Sequence, residues 1–298
     1  MSWTPYKIIL RLHSPMHIGW LTIGNLQRTR PYVTGRVLRG ALVSRVARNQ
    51  NIIGEKAGDP YRPVSKTFAQ YLRFTYFYPA LKEGEDHYQV QFPWKDEARF
   101  RRRFLGSYVS TALDYPQQTA AEGLLHEIEF ISPHTLDEGQ PVYLMGYVFV
   151  QEERIKYDWR GGFRRLQLGG ERGYGWGDAH LVQELVQIAE KDGLFDNISF
   201  ETDQKYPLVH LKKGDHLLAH FKVPSSLQTR LAGSIEPIVG REWRANNEKY
   251  PKRRHIGQHR AYDGITFAPG SVLQGEKASF IIGKGGYWLP RPSNEGAP

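Results

Sequence analysis

Leu166–Leu181 reads LQLGGERGYGWGDAHL, five glycines (Gly169, Gly170, Gly173, Gly175 and Gly177) set among Arg172, Tyr174 and Trp176. Glycine at this density lets a backbone take positive φ and approach a partner closely, while an arginine and two flat rings supply a charge and stacking faces. The same composition serves an RNA contact or a structural turn, and the stretch alone does not choose between them. It lacks the Lys followed by Ser or Thr of a P-loop and the clean G-x-G-x-x-G of a dinucleotide site.

Charge upstream of it is more telling. The chain carries a formal +9 over 298 residues, which favours a polyanionic partner. Met1–Gly54 contains no Asp or Glu but holds Lys7, Arg11, Arg28, Arg30, Arg36, Arg39, Arg45 and Arg48. A solvated face normally mixes signs, so charge of one sign over this length points to a surface that meets phosphates. There is no cysteine, which excludes disulfides, thiolate metal sites and a cysteine nucleophile and fits a reducing cytoplasm. The opening MSWTPYKIILRLHSP is too interrupted for a signal peptide and no stretch approaches a membrane span, so a soluble cytoplasmic protein is expected.

Tyr6–His13 alternates as a half-buried strand, with Tyr6, Ile8, Leu10 and Leu12 on one face and the cationic set Lys7, Ile9, Arg11 and His13 on the other. A loop with Pro15, Gly19, Gly24 and Pro31 follows. Then comes a helix over Arg36–Arg48, with Leu38, Ala41, Leu42 and Val46 at helical spacing and Thr34 or Gly35 as its cap; amides at such a helix start favour a phosphate. Asn51–Pro93 is irregular and aromatic, with a strand over Tyr71–Tyr78. Arg99 and Arg101–Arg103 read as a basic knot in an exposed turn or at RNA. Strands are expected near Leu125–Ile131 and over Val142–Val150, the latter apolar on both faces and therefore central. A short helix within Tyr157–Leu168, broken by Gly161 and Gly162, precedes the glycine-rich stretch, and a strand over Ala179–Ile188 follows it. This order suits an α+β domain with an antiparallel sheet, such as a ferredoxin-like unit, over residues 1–190. After a polar break at Glu190–Asn197, residues 191–290 read as mostly β, with runs at Leu208–Leu211, His216–Val223 and Ser279–Ile282, and residues 291–298 as a disordered tail. A second basic segment, KYPKRRHIGQHR, spans Lys249–Arg260. No clear repeat is visible, although a degenerate second ferredoxin-like half would escape inspection.

Three stretches together resemble the RAMP superfamily of CRISPR proteins. They are LRLHSPMHIG followed by PYVTGRVLRGALVSRVAR, with the G-x-x-x-[KR]-G-A-[LM] pattern at Gly35, Arg39, Gly40, Ala41 and Leu42; TALDYPQQTAAEGLLHEIEFISP, with L-x-x-x-E-x-[VI] at Leu125, Glu129 and Ile131; and LGGERGYGWG. The resemblance covers roughly Tyr6–Leu185. It implies a ferredoxin-like, RRM-type fold binding CRISPR guide RNA through the RNA backbone, beside other effector subunits and with target RNA met indirectly. It makes the Gly35–Ala41 helix start and the Gly169–Gly177 loop the expected guide-RNA contacts; with the arginines of the first loop and helix, the RNA-binding candidates are Arg28, Arg30, Gly35, Arg36, Arg39, Gly40, Arg45, Gly169, Gly170, Arg172, Gly173, Tyr174, Gly175 and Trp176. Within the superfamily the cap and backbone subunits of type III effector complexes look closer than the processing endonucleases, which usually carry the glycine-rich loop near the C-terminus. Backbone subunits that cut target RNA place an Asp in the loop after the first strand; Ser14–Arg36 holds no Asp or Glu. That implies a non-cleaving cap gripping the 5′ handle of the guide.

The enzymatic alternative is a metal-independent RNA endonuclease with His13 and His17 as general base and acid and Arg28 or Arg30 stabilising the developing charge. Neither a cofactor nor a metal is expected: there is no H-E-x-x-H, and the acidic pairs Glu127, Glu129 and Glu152, Glu153 lack metal-ligand context.

Overall fold

The computed structural model describes residues 2–49, 61–114, 116, 119–195, 197–222, 230–242 and 259–291. The chain opens with β1 (Thr4–Leu12), then a β2 (Gly19–Ile23) and β3 (Leu26–Thr29) hairpin, α1 (Gly35–Asn49), α2 (Arg62–Tyr71), and strands β4 (Leu72–Phe74), β5 (Tyr78–Lys82) and β6 (Tyr88–Val90). Next come α3 (Glu97–Phe104), β7 (Leu105–Ser110), β8 (His126–Ile131), β9 (Tyr143–Val150), the single turn α4 (Trp159–Gly162), β10 (Arg165–Gln167) and β11 (Asp178–Leu181). Beyond them, among the described residues, lie the strands β12 (Ser199–Glu201), β13 (Leu208–Lys212), β14 (Phe221–Lys222), β15 (Ile235–Glu242), β16 (His259–Phe267), β17 (Lys277–Ile282) and β18 (Trp288–Pro290). The fold is mixed α and β, dominated by antiparallel strands.

The main sheet runs β10-β11-β1-β9-β5-β6, with β4 also pairing β9. β1 lies antiparallel between β9, from Thr4↔Val150 to Arg11↔Tyr143, and β11, from Leu10↔Leu181 to Leu12↔Ala179. The alternation in β1 sorts its side chains as the sequence predicts on one face: Tyr6, Ile8, Leu10 and Leu12 pack with Leu38, Leu42 and Val46 of α1 and Phe68 of α2. The other face is not a free cationic surface. Ile9, Tyr147, Phe149, Tyr76 and Tyr78 share a core with Phe195, Phe200, Phe221 and Trp288 from beyond residue 190. β9 is therefore buried along its whole length, which is why it reads as apolar on both faces.

Two short helices were not legible. α2 replaces part of the irregular region and ends where β4 begins, so Tyr71–Tyr78 is not one strand. α3 replaces the basic turn: Asp96 caps it by accepting from the Arg99 amide at 3.0 Å, and Phe100 and Phe104 bury its inner side. The helix expected within Tyr157–Leu168 shrinks to α4, and among the described residues of the run His216–Val223 only Phe221–Lys222 is strand. Residues 292–298 of the tail and 249–258 of the second basic segment lie outside the described residues.

A second sheet, β2-β3-β8-β7, and a third, β12-β13-β17-β18-β14-β16-β15, flank the main one. The second is tied to the end of β1 by the reciprocal Met16–Ile131 backbone bonds at 3.0 and 2.8 Å.

Candidate nucleic-acid interface

The glycine-rich stretch is stitched to the segment that leaves β1. The Gly170 amide donates to the His17 carbonyl and the Gly177 amide to the Pro15 carbonyl, both at 2.8 Å. Ser14 Oγ donates to the Gly175 carbonyl and accepts from the Asp178 amide, both at 2.9 Å. Two glycines are demanded by this closeness as well as by backbone angle. At Gly169 (φ 81°) a Cβ would lie 2.1 Å from the His17 carbonyl oxygen, and at Gly177 (φ 77°) 1.8 Å from that of Leu168. The amides of Gly170 and Gly177 thus serve the protein, a structural role where the sequence suggested phosphate contacts.

What the loop presents outward is Arg172, Gly173, Tyr174 and Gly175. Tyr174 is 82% exposed. Trp176 instead turns inward, edge-on to Phe130 at 5.2 Å, so of the two candidate stacking rings it is the one that packs under the loop. Arg172 Nε donates to the Gly169 carbonyl at 3.0 Å. Desolvation and then the like charge of Arg48 lower its pKa.

α1 begins beside this loop. Together they border a cavity of about 320 Å³ that brings Arg30, Arg36, Gly40, Gly169, Gly170 and Arg172 to one place. Its remaining wall was not legible in the sequence: His220, Gly240, Gly285 and Tyr287 arrive from the C-terminal strands. Gly35 is buried in that seam, where a Cβ would meet Gly286 Cα at 2.7 Å, and Gly286 itself has φ 79°. The motif glycine thus admits a backbone rather than opening the helix start to solvent. Arg39 Nη1 donates to the Lys284 carbonyl at 3.0 Å and Arg45 Nε to the Arg165 carbonyl at 2.8 Å.

Arg28 and Arg30 differ from these. Arg28 Nε pairs with Glu129 Oε2 at 3.0 Å, and the same buried carboxylate accepts from the Thr29 amide at 3.0 Å and from Arg101. The glutamate of the second motif therefore staples β3 and α3 to β8. Arg30 is buried and pairs with Glu236 Oε1 at 2.8 Å, while Glu236 also accepts from Trp20 Nε1 at 2.7 Å and from His220. Burial pushes the Glu236 carboxyl up, but the His220 hydrogen bond and the Arg30 charge outweigh it and hold it at about 2. Burial, the largest cause, lowers the His220 pKa, which favours a neutral ring accepting at Nδ1 from the Tyr76 hydroxyl at 2.7 Å. Arg28 and Arg30 thus each have a carboxylate partner within the protein, Glu129 and Glu236.

The structure does not bring His13 and His17 together as a catalytic pair. His17 is buried beneath the loop, its Nδ1 donating to the Glu129 carbonyl at 2.7 Å. His13 is exposed and lies against His180, ring centroids 4.3 Å apart, while His180 Nε2 lies 3.1 Å from Asp178 Oδ2. Among the described residues no group of three or more His, Asp or Glu could hold a metal ion, and no helix is long and apolar enough to cross a membrane.

No protein-family model matches the sequence, and no curated protein matches it. Among solved structures the chain is similar to one in the type III-B Cmr-beta bound to cognate target RNA and AMPPnP, at 9% identity and TM-score 0.48, covering 90% of this chain and 85% of that one. It is also similar to a chain of the type III-B Cmr-beta bound to cognate target RNA, at 9% identity and TM-score 0.38, covering 59% of this chain and 96% of that one. Oligomeric Cmr4 from Pyrococcus furiosus is similar at 15% identity and TM-score 0.34, covering 63% of this chain and all of that one.

Proposed function

We propose that the chain is a guide-RNA-binding subunit of a type III CRISPR ribonucleoprotein, a non-cleaving cap that grips the 5′ handle of the guide. The observation that carries this reading is the convergence of motif residues on one cavity, which Arg36 from the start of α1 lines together with Gly169, Gly170 and Arg172. Arg39, Arg45 and Arg48 continue the positive surface along α1. A ferredoxin-like reading of residues 1–190 is supported by the strand order β11-β1-β9-β4 with α1 and α4 as the crossovers. Residues 191–290 form the second part of the subunit, closing the cavity through Gly240 and Gly285.

In this arrangement the arginines contact phosphates and fix the register of the strand without reading its sequence. Tyr174, held out on the loop, offers a face for one base. The non-cleaving part of the reading is supported by the acid-free loop Ser14–Arg36 and by the separate engagement of His13 and His17.

The test is to incubate the full chain with labelled repeat-containing RNA in EDTA and to follow retention and strand integrity. Intact, retained RNA is expected. Arg172→Ala and Arg39→Ala should each weaken retention and reduce the salt slope by about one unit; unchanged affinity and slope in both would remove the assigned surface. Cutting at one position would overturn the cap reading.

A further inference from the structure

We propose that the chain carries a second nucleotide-binding cleft, between the β5–β6 edge and α3, which takes a planar base together with its phosphate. A cavity of about 460 Å³ opens there and shares no lining residue with the one beside α1; its size suits a mononucleotide. The aromatic element is Phe92. Its ring is held by Trp94 in a stack (4.9 Å, 21°) and edge-on by Tyr78 at 5.0 Å and Phe195 at 5.9 Å. Lys95 lies over the ring, its Nζ 5.6 Å from the centroid. A base laid on Phe92 takes that place, and the flexible lysine stem lets the ammonium follow the phosphate.

Exposed cations stand on both walls, Lys82 at the end of β5 and Arg99 on α3. Arg103 also faces the cleft, but it is tied to Asp137 at 3.1 Å and Glu138 at 2.8 Å. Of the acids, Asp96 is engaged as the cap of α3 and Glu83 stands at the rim. Gln89, Gln91 and Gln140 line the same space, and an amide that both donates and accepts suits the edge of a base. An apolar peptide would leave the cations without partners.

A second cavity of about 270 Å³ adjoins the first and shares Gln89, Val90, Phe92 and Lys95 with it. Trp94 and His216 line it as a stack, 5.9 Å apart at 20°. Two adjoining chambers that share Phe92 accept successive units of a single strand as readily as a free nucleotide. The shared chemistry is the nucleotide, and this inference does not rest on the RNA interface proposed above.

Calorimetry of the full chain with AMP, GMP, CMP and UMP, with inorganic phosphate as control, tests it. Saturable binding of a nucleotide but not of phosphate is expected, weakened at least about tenfold in Lys95→Glu/Arg99→Glu, whose exposed sites should leave the melting temperature unchanged, and unaffected by Arg172→Ala. A strand as the natural occupant would instead show as ultraviolet cross-linking of short single-stranded RNA to Phe92 or Trp94 in the Arg172→Ala background, lost in the double variant. Absence of both signals, equal binding of phosphate, or indifference to the double variant would overturn the proposal.

Discussion

Gly169 and Gly173 stand four residues apart in the same stretch and do different things. Gly169 combines positive φ with a carbonyl 2.1 Å from where a Cβ would sit, whereas a Cβ at Gly173 would meet nothing within 4 Å. Gly169→Ala should therefore cost about 1–3 kcal/mol or more, while Gly173→Ala should be neutral or stabilise by up to about 1 kcal/mol; denaturant unfolding of the two variants checks this. The sequence shows the residue type but not which glycine touches backbone. The same limit applies to the arginines: Arg28 and Arg30 are alike as letters, and only the fold gives one of them Glu129 and the other Glu236. The Glu236 carboxylate makes stability depend on acid. Its folded pKa, about 2 against an ordinary 4.5, is depressed, so its contribution is present above pH 4.5 and is lost as pH falls towards 2. His220, also lowered from 6.5, adds loss in the same direction below its unfolded value. Glu236→Gln should flatten the fall in stability between pH 4.5 and 2, measured by urea titration across that range.

β1, α1 and β9 were legible because each is long enough for its apolar period to show. α2 and α3 were not. Helices of ten and eight residues, each with only two buried side chains, leave too few turns for a pattern, and three consecutive arginines in α3 drew attention to charge rather than to the Phe100–Phe104 spacing. Phe104→Ala should cost about 3–5 kcal/mol, whereas the exposed Arg102→Ala should stay within about 0.5 kcal/mol, both read by thermal or denaturant unfolding. The contact between α1 and the turn after β17 was also invisible, since two glycines 251 positions apart carry no periodicity. Gly35→Ala and Gly286→Ala should each destabilise by about 1–3 kcal/mol. Their effects should fall short of adding in the double variant, because either change alone prizes the same two backbones apart.

At the scale of the molecule, a polar break near residue 190 is legible, but the continuity of the core across it is not. Tyr76, Tyr78, Tyr147 and Phe149 bury against Phe195, Phe221 and Trp288, a pairing of faces that no local pattern records. A fragment ending at residue 190 would expose that aromatic face; it is expected to bind a hydrophobic dye and to lack the cooperative unfolding of the full chain, and a sharp melting transition in the fragment would contradict this. The separation between partners also sets a schedule for synthesis. Arg30 meets its carboxylate only 206 residues later, which at ribosomal speeds is roughly ten to forty seconds. Until then the nascent N-terminal half carries its arginines without that counter-ion and its aromatic face without a cover, so the fold is completed late, once Glu236 and the strands around it have left the ribosome.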